Sequence, residues 1–379
     1  MGLFSSFIER FRRVTYSGRY MPEIDGLRFI AVFLVVFLMH FGNLMRDNQI
    51  GVEYNAANFF HRTIMEGGYG VALFFVISGF ILALPFAHEK LLDQKKVSLK
   101  TYYWRRVTRL EPAYIISMVL FLCMRVWILH YGSFKELLPH FWASIFYVHN
   151  IVYHRASAIN GVAWSLEVEI QFYILAPLLT NIFFIRNTYF RRGLLLCLVF
   201  IGTIISYNRC EYPAPSILDN SGYFIAGLLL ADWYVLRKKE NNGMGIAMGV
   251  ILIFICWLFV PSFYLSVYLC ILKIFMTILI FYMCITNDVL KKMLSKKIIA
   301  IIGGMCYSIY LIHMGIYGIL RHDFFKIKFF NNIPLSILIH FCIAVTMILT
   351  ASGIFFLLVE KPTMKRDWYK GIFSKKTAL

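Results

Sequence analysis

Runs of roughly 20 apolar residues recur from one end of this chain to the other, the length an α-helix needs to cross about 30 Å of hydrocarbon. No other feature limits the fold so tightly, because a segment surrounded by lipid must satisfy its own backbone N–H and C=O groups. Of 379 residues, 60% are hydrophobic and only 15% charged, a balance far from that of a soluble domain. The expectation is an all-α polytopic integral membrane protein of about ten transmembrane helices. They are placed near 28–46, 68–87, 111–130, 164–185, 193–208, 217–236, 244–260, 265–286, 299–320 and 334–359. A shorter apolar piece at 138–152 holds His140, His149 and Asn150; it reads as interfacial or re-entrant, with an eleventh span as the alternative. No small-residue cleavage site follows the first run, so it is not read as a removed signal peptide.

Net charge is +18. In a soluble protein that would point to a polyanion such as nucleic acid; here it points to basic loops on one side of a membrane. Segments 1–27, 88–110, 186–192, 237–243, 287–298 and 360–379 hold most of the 38 lysines and arginines. Those segments fall on one face of the span layout, which places both termini in the cytoplasm. The chain then divides into a cytoplasmic segment 1–27, a transmembrane unit 28–360 and a basic tail 361–379. The eight cysteines are scattered, mostly within apolar runs and without metal-type spacing, so neither a disulfide framework nor a metal site is expected. His61, His140, His149 and His154 lie in or near outer loops with no consistent ligand spacing.

Depth follows from a rise of about 1.5 Å per helical residue. Arg28 opens the first span at the cytoplasmic face, and His40 lies about 18 Å deeper. Glu169 enters from the other side, about 8 Å below the outer surface, and His313 lies about 21 Å along its span. Three titratable groups from distant parts of the sequence thus share one outer-half layer, while Arg28, Arg106 and Arg109 ring the cytoplasmic mouth. Ionisable groups within a membrane are functional candidates because an unpaired one is expensive. A lone histidine serves equally well as a hydrogen-bonding group between helices, and topology alone accounts for Arg105. Glu169 is harder to explain away, since Glu167 points to the opposite side of the helix and one of the two must face something polar. Ser165 and Tyr173, four residues either side of Glu169, share its face.

These residues fall in motifs that resemble the acyltransferase type-three family of polytopic bacterial membrane acyltransferases. IDGLRFIA with His40 is similar to its first-helix signature, and GYGVALFFVISGF (68–80) to its Gly-rich second-helix motif. RRVTRLEPAY (105–114) carries the R-x-x-R-[IL]-x-P-x-Y pattern, and WSLEVEIQFY (164–173) the W-S-L-x-x-E element. YSIYLIH (307–313) and Glu360-Lys361-Pro362 also fit, so the resemblance runs over almost the whole chain in the family's order.

Two departures stand out. The family separates its first-helix arginine and histidine by ten residues, whereas eleven intervene here. An i,i+12 pair is offset by about 120° on an ideal helix; a π-bulge between Arg28 and His40 would absorb the extra residue. Second, Glu167 occupies a site often small or uncharged in relatives.

The resemblance implies transfer of an acyl group, most often acetyl, from a coenzyme A thioester to a sugar hydroxyl. Arginine binds phosphate through charge-assisted bidentate hydrogen bonds, which suits Arg106, Arg109 and Arg28 to the CoA phosphates. The thin pantetheine arm would then thread toward the histidine layer. His40 is the expected general base, with Glu169 orienting its imidazole. His313, Ser78 and Tyr307 are candidates for a polar wall, with Tyr310 beside them. Ser78 reads first as a close-packing residue and only secondarily as a nucleophile, and the glycines at 67, 68, 70 and 79 read the same way.

The expected partners are acyl-CoA, such as acetyl-CoA, and a glycan or lipid-linked oligosaccharide acceptor such as O-antigen or exopolysaccharide, at a bacterial cytoplasmic (inner) membrane. With no soluble appendage in the sequence, the chain itself is expected to move the acyl group and attach it, unless a separate partner finishes the reaction. The alternative is a glycolipid or small-molecule transporter or flippase without transferase chemistry, though no pseudo-symmetric halves with paired broken helices are evident.

Overall fold

The computed structural model describes residues 8–14, 20–47, 59–209, 215–237, 243–260, 266–320, 324, 327, 329, 332–365 and 368. Among these residues the regular structure is entirely helical. Seven helices are long and apolar enough to cross a membrane: α1 (Pro22–Met45), α2 (Thr63–Leu92), α3 (Leu99–Ile128), α6 (Ala163–Phe184), α7 (Thr188–Asn208), α10 (Val267–Thr286) and α14 (Ile333–Thr363). An eighth candidate is the pair α12 (Lys297–Gly304) and α13 (Cys306–Leu320), bent by 67° at Met305. Two expected spans form helices but fall short of that measure. The helix α8 (Ile217–Leu236) carries Asp219, Asn220 and Asp232, and α9 (Met244–Phe259) has only 16 residues.

The segment expected to be interfacial or re-entrant folds as α4 (Phe134–Ile145) and α5 (His149–Tyr153). Twelve residues reach only about 18 Å as helix, too short to cross. A capping box between Ser133 and Glu136 starts α4. The short helix α11 (Asp288–Leu294) links α10 to α12.

Three boundaries differ from the expectation. The first helix starts at Pro22 instead of residue 28, and the last runs on to Thr363. The third starts at Leu99 instead of 111, capped by Ser98, whose hydroxyl accepts from Thr101 N–H. Much of the basic stretch 88–110 is therefore helix, with Arg105, Arg106 and Arg109 on turns that extend α3 beyond its apolar part. Within α3, Pro112 has no N–H for the carbonyl of Thr108. The indole of Trp368 donates to that carbonyl at 2.9 Å, and Thr363 donates to the next one, on Arg109, at 3.3 Å. In α6, Pro177 frees the carbonyl of Tyr173, which accepts from the Tyr102 hydroxyl at 3.2 Å.

Small residues set the helix spacing. A Cβ on Gly79 of α2 would lie 2.3 Å from the carbonyl oxygen of Phe224 on α8, and one on Gly70 would lie 2.3 Å from that of Ala31 on α1. The backbones touch there, as the small-residue pattern of α2 anticipated. One end of the bundle gathers the start of α1, the end of α2, the start of α3 and the end of α6. Lys90 donates to Asn181, Arg186 pairs with Asp93, and Gly26 abuts Leu294 at that end. The starts of α7 and the ends of α8 and α10 join it through the Arg191–Asp232 ion pair and the Arg237–Ile285 hydrogen bond. Of the expected termini, residues 1–7, 15–19 and most of the basic tail lie outside the described residues, as do 48–58 of the first outer loop and the side chain of His61.

Candidate functional site

The first helix is not a straight α-helix. Residues Phe33–His40 are π-helical, between α-helical Pro22–Val32 and Phe41–Asp47. This is the bulge that the long Arg28–His40 spacing demands. Its wider turn brings His40 round to the side facing α13: Arg28 lies near Cys306, and His40 meets His313 two turns along that helix. The Tyr317 hydroxyl donates to the carbonyl of Val36 inside the π segment at 2.8 Å. The glycine-rich start of α2 lies against the same segment, a Cβ on Gly67 falling 2.5 Å from the Leu34 carbonyl oxygen.

The two histidines form a directed pair. Nδ1 of His313 lies 2.8 Å from the carbonyl oxygen of Tyr310 and 3.2 Å from that of Ile309. Carbonyls only accept, so His313 carries its proton on Nδ1. Its Nε2, 3.0 Å from Nδ1 of His40, is left as an acceptor in the neutral ring. The His40 proton therefore sits on Nδ1, and Nε2 of His40 keeps an open lone pair. His313 is fully buried and His40 half-buried.

Glu169 is placed differently from the expectation. Its Oε1 accepts from the Tyr173 hydroxyl at 2.6 Å and from the Ser78 hydroxyl. The ring bonded to His40 is that of His313, so the geometry gives Glu169 no contact through which to orient His40. Tyr310 lies between the two centres. Its ring is 5.6 Å from that of His313, its hydroxyl is 2.7 Å from Ser165 on the Glu169 face of α6, and it sits within electrostatic range of Glu169. Ser78 donates its hydroxyl proton to the Glu169 carboxylate and bonds to neither imidazole. Tyr307, expected in the polar wall, instead donates to the carbonyl of Leu110 at 3.2 Å and ties α13 to α3.

The expected arginines divide into two groups at the basic end. Arg106 stacks 3.7 Å above the Tyr102 ring, donates to the Tyr102 carbonyl at 2.9 Å, and lies near Tyr173 and Glu169. Arg28 and Arg13 both bind Oδ1 of Asp25, at 2.6 and 3.0 Å. Arg109 lies close to Arg13 and to Glu360, which accepts from the backbone N–H and hydroxyl of Ser308. Nε of Arg109, Nε of Arg13 and Oδ2 of Asp25 are buried with no hydrogen-bond partner. Arg13 lies outside the spans; burial and then the charges of Arg109 and Arg28 lower its pKa to about 9. Three guanidinium groups against two carboxylates leave a cationic surplus with unused donors. Asp25 and Glu360 lie in the IDGLRF and Glu360-Lys361-Pro362 motifs, whose pairing is the sequence signal for this cluster; Arg13 lies in neither.

Glu167 also has a definite place. It is fully buried and accepts the backbone N–H of Asn150 at 2.9 Å, at the N-terminus of α5. A carboxylate there meets unpaired N–H groups and the positive end of the helix dipole. Beside it, His140 and His149 join ring to ring at 3.0 Å, and Nδ1 of His149 reaches the Arg155 carbonyl at 3.1 Å. Among the described residues no group of three or more His, Cys, Asp or Glu is arranged to hold a metal ion.

Comparison with known proteins agrees with the motifs. A family model described as acyltransferase domain matches residues 21–357. The O-acetyltransferase OatA of Staphylococcus aureus is 26% identical over 95% of this chain and 60% of its own length. The peptidoglycan O-acetyltransferase OatA of Listeria monocytogenes is 30% identical over 45% of this chain and 26% of its own. A putative O-acetyltransferase of Staphylococcus aureus is 25% identical over 79% of this chain and 51% of its own. The chain thus spans 60% or less of the length of these curated relatives. No solved structure matches. A match across nearly the whole chain, over a multi-pass helical bundle, establishes that this chain belongs to the acyltransferase type-three family.

Proposed function

We propose that this chain is an O-acyltransferase, in its simplest form an O-acetyltransferase, moving an acyl group from cytosolic acyl-CoA to a hydroxyl of an extracytoplasmic glycan. The observation that carries this reading is the open Nε2 of His40, held in the basic tautomer by His313. The acceptor hydroxyl gives its proton to that nitrogen as its oxygen attacks the thioester carbonyl. The tetrahedral intermediate collapses by breaking the C–S bond, and the imidazolium returns the proton to the departing thiolate. While His40 is charged, its Nδ1–H bond to His313 becomes charge-assisted and stronger. General-base catalysis of this kind contributes about 10²–10⁴-fold.

The donor phosphates belong at the basic end. Arg109, Arg28 and Arg13 offer surplus charge there, Arg109 and Arg13 each with an unpaired Nε–H, and Arg106 lies next to them. In this reading the unit 28–360 spans the membrane about ten times between the cytoplasmic flanks 1–27 and 361–379, with its basic end inside. The membrane is the bacterial cytoplasmic (inner) one. The name of the Listeria relative directs the acceptor toward cell-wall glycan; O-antigen and lipopolysaccharide have no comparable support.

The test is purified protein in proteoliposomes with labelled acetyl-CoA and glycan fragments. CoA release should depend on the acceptor and fall by about 10²–10⁴-fold in His40→Ala. Glycolipid movement without thioester consumption would instead establish the transporter reading.

A further inference from the structure

A second cationic site lies at the basic end, apart from the Arg109 cluster. It is a cleft of about 300 Å³ lined by Arg192, Trp233, Leu236, Arg237 and Tyr282, where α7, α8 and α10 meet. Its construction begins with Asp232, which is fully buried in α8. One oxygen of Asp232 takes Nε of Arg192 at 2.6 Å, and the other takes Nε of the buried Arg191. Both carboxylate oxygens are thereby used by Nε atoms, and the lining includes no carboxylate. Arg191 also leaves Nη2 buried without a partner.

Arg237 adds a third guanidinium at the end of the same helix. It lies 4.0 Å over the Tyr234 ring and donates to the Ile285 carbonyl at 3.1 Å. Arg192 and Arg237 line the cleft, and Arg192 shares the Asp232 carboxylate with the buried Arg191, which leaves the cleft anion-seeking. Trp233 and Tyr282, edge to face at 5.7 Å, form an aromatic wall. Ring pairs of this kind favour the interfacial region of a membrane.

We propose that this cleft binds a phosphate group, and specifically the headgroup of an anionic phospholipid. Guanidinium groups match phosphate oxygens bidentately, and basic pockets between helix ends suit acidic lipid headgroups. The surroundings favour lipid over a free anion. Leu236 forms part of the cleft wall, and the turn of α7 that carries Arg191 and Arg192 exposes Tyr189 (91%) and Phe190 (64%), which give acyl chains an apolar surface. None of these residues is assigned a part in acyl transfer, so the site can fail while the enzymatic reading stands.

The experiment measures the unfolding midpoint of the full chain in a neutral detergent with added phosphatidylglycerol, phosphatidylcholine, inorganic phosphate or CoA. Native mass spectrometry counts the lipids retained. Phosphatidylglycerol should raise the midpoint by several degrees and stay bound, phosphatidylcholine should do neither, and Arg237→Gln should lose at least half of the shift. Arg192→Gln combined with Arg237→Gln should lose nearly all of it; if loss of the Asp232 pair prevents folding, Arg237→Gln alone decides. An equal phosphatidylglycerol shift in wild type and Arg237→Gln overturns the site. Equal shifts with phosphatidylcholine overturn its selectivity for acidic lipid, and an equal effect of phosphate or CoA overturns the lipid assignment.

Discussion

Nδ1 of His40 lies 3.0 Å from Nε2 of His313, although the two residues are 273 positions apart in the chain. The contact depends on two local deformations. The π-helical segment Phe33–His40 turns His40 toward α13, and the 67° bend at Met305 redirects the helix that carries His313. The carbonyls of Tyr310 and Ile309 then fix the direction of the proton.

If His313 acts by holding the tautomer of His40, removing it should lower turnover more than substrate affinity. His313→Ala is expected to reduce kcat by about 10²-fold or more with little change in KM, within the range of general-base effects. His40→Ala should lower turnover by about 10²–10⁴-fold. Steady-state kinetics on both variants, with the unfolding midpoint as a check of folding, tests this. A His313→Ala enzyme with normal kcat and raised KM would reassign the residue to binding.

Arg109 should act on the donor. Hydrogen bonds to charged groups contribute about 1.5–3 kcal/mol, so Arg109→Gln is expected to raise the KM for acetyl-CoA by about 10–100-fold. Arg105 is exposed and makes no described contact, and Arg105→Gln serves as the control with unchanged KM. Equilibrium binding of CoA to the detergent-solubilised protein gives the same comparison without turnover.

Much of this was legible in the sequence, for physical reasons that also mark the limit. Apolar runs report the helices because hydrocarbon leaves the backbone no other structure. The twelve-residue step from Arg28 to His40 reported the π segment because helical phase is simple arithmetic. The start of α3 at Leu99 was hidden, since a helix that projects beyond the hydrocarbon carries polar residues and loses its apolar signature. The His40–His313 pair was hidden in another way. Depth placed both rings in one layer with Glu169, but depth alone does not say which of three groups touch. Ser78 and Tyr173 take the carboxylate and leave the imidazoles to each other. The Asp25–Arg13–Arg28 cluster depends on a residue before the first apolar run, where periodicity carries no information.

Glu167 should contribute stability, not chemistry. Its carboxylate is buried and pairs with the N-terminus of α5, so removal leaves the Asn150 N–H buried without a partner. Leaving such a donor unsatisfied costs about 1–3 kcal/mol. Glu167→Ala should therefore lower the unfolding midpoint, and Glu167→Gln, which keeps an acceptor oxygen, should recover part of the loss. Activity per folded molecule should change little in Glu167→Gln. A Glu167→Ala protein as stable as wild type would contradict the capping role.

The His140–His149 pair predicts a dependence of stability on pH, of determined sign. Both residues lie outside the membrane-spanning helices, in α4 and α5. Desolvation is the first cause that lowers each pKa below the ordinary 6.5, with the Arg155 charge acting in the same direction. The unfolded chain therefore binds more protons than the folded one as pH falls through 6.5, so stability rises with pH in that window. The contribution is fully present above pH 6.5 and is lost as the pH drops toward the lowered folded values. The geometry acts on one ring: Nε2 of His149 must keep its lone pair to accept the proton on Nδ1 of His140, and protonating His149 removes that lone pair. Unfolding midpoints measured at pH 8 and pH 5 should fall on acidification in the wild type, and less in a His140→Asn/His149→Asn variant. An identical decrease in both proteins would locate the acid sensitivity elsewhere.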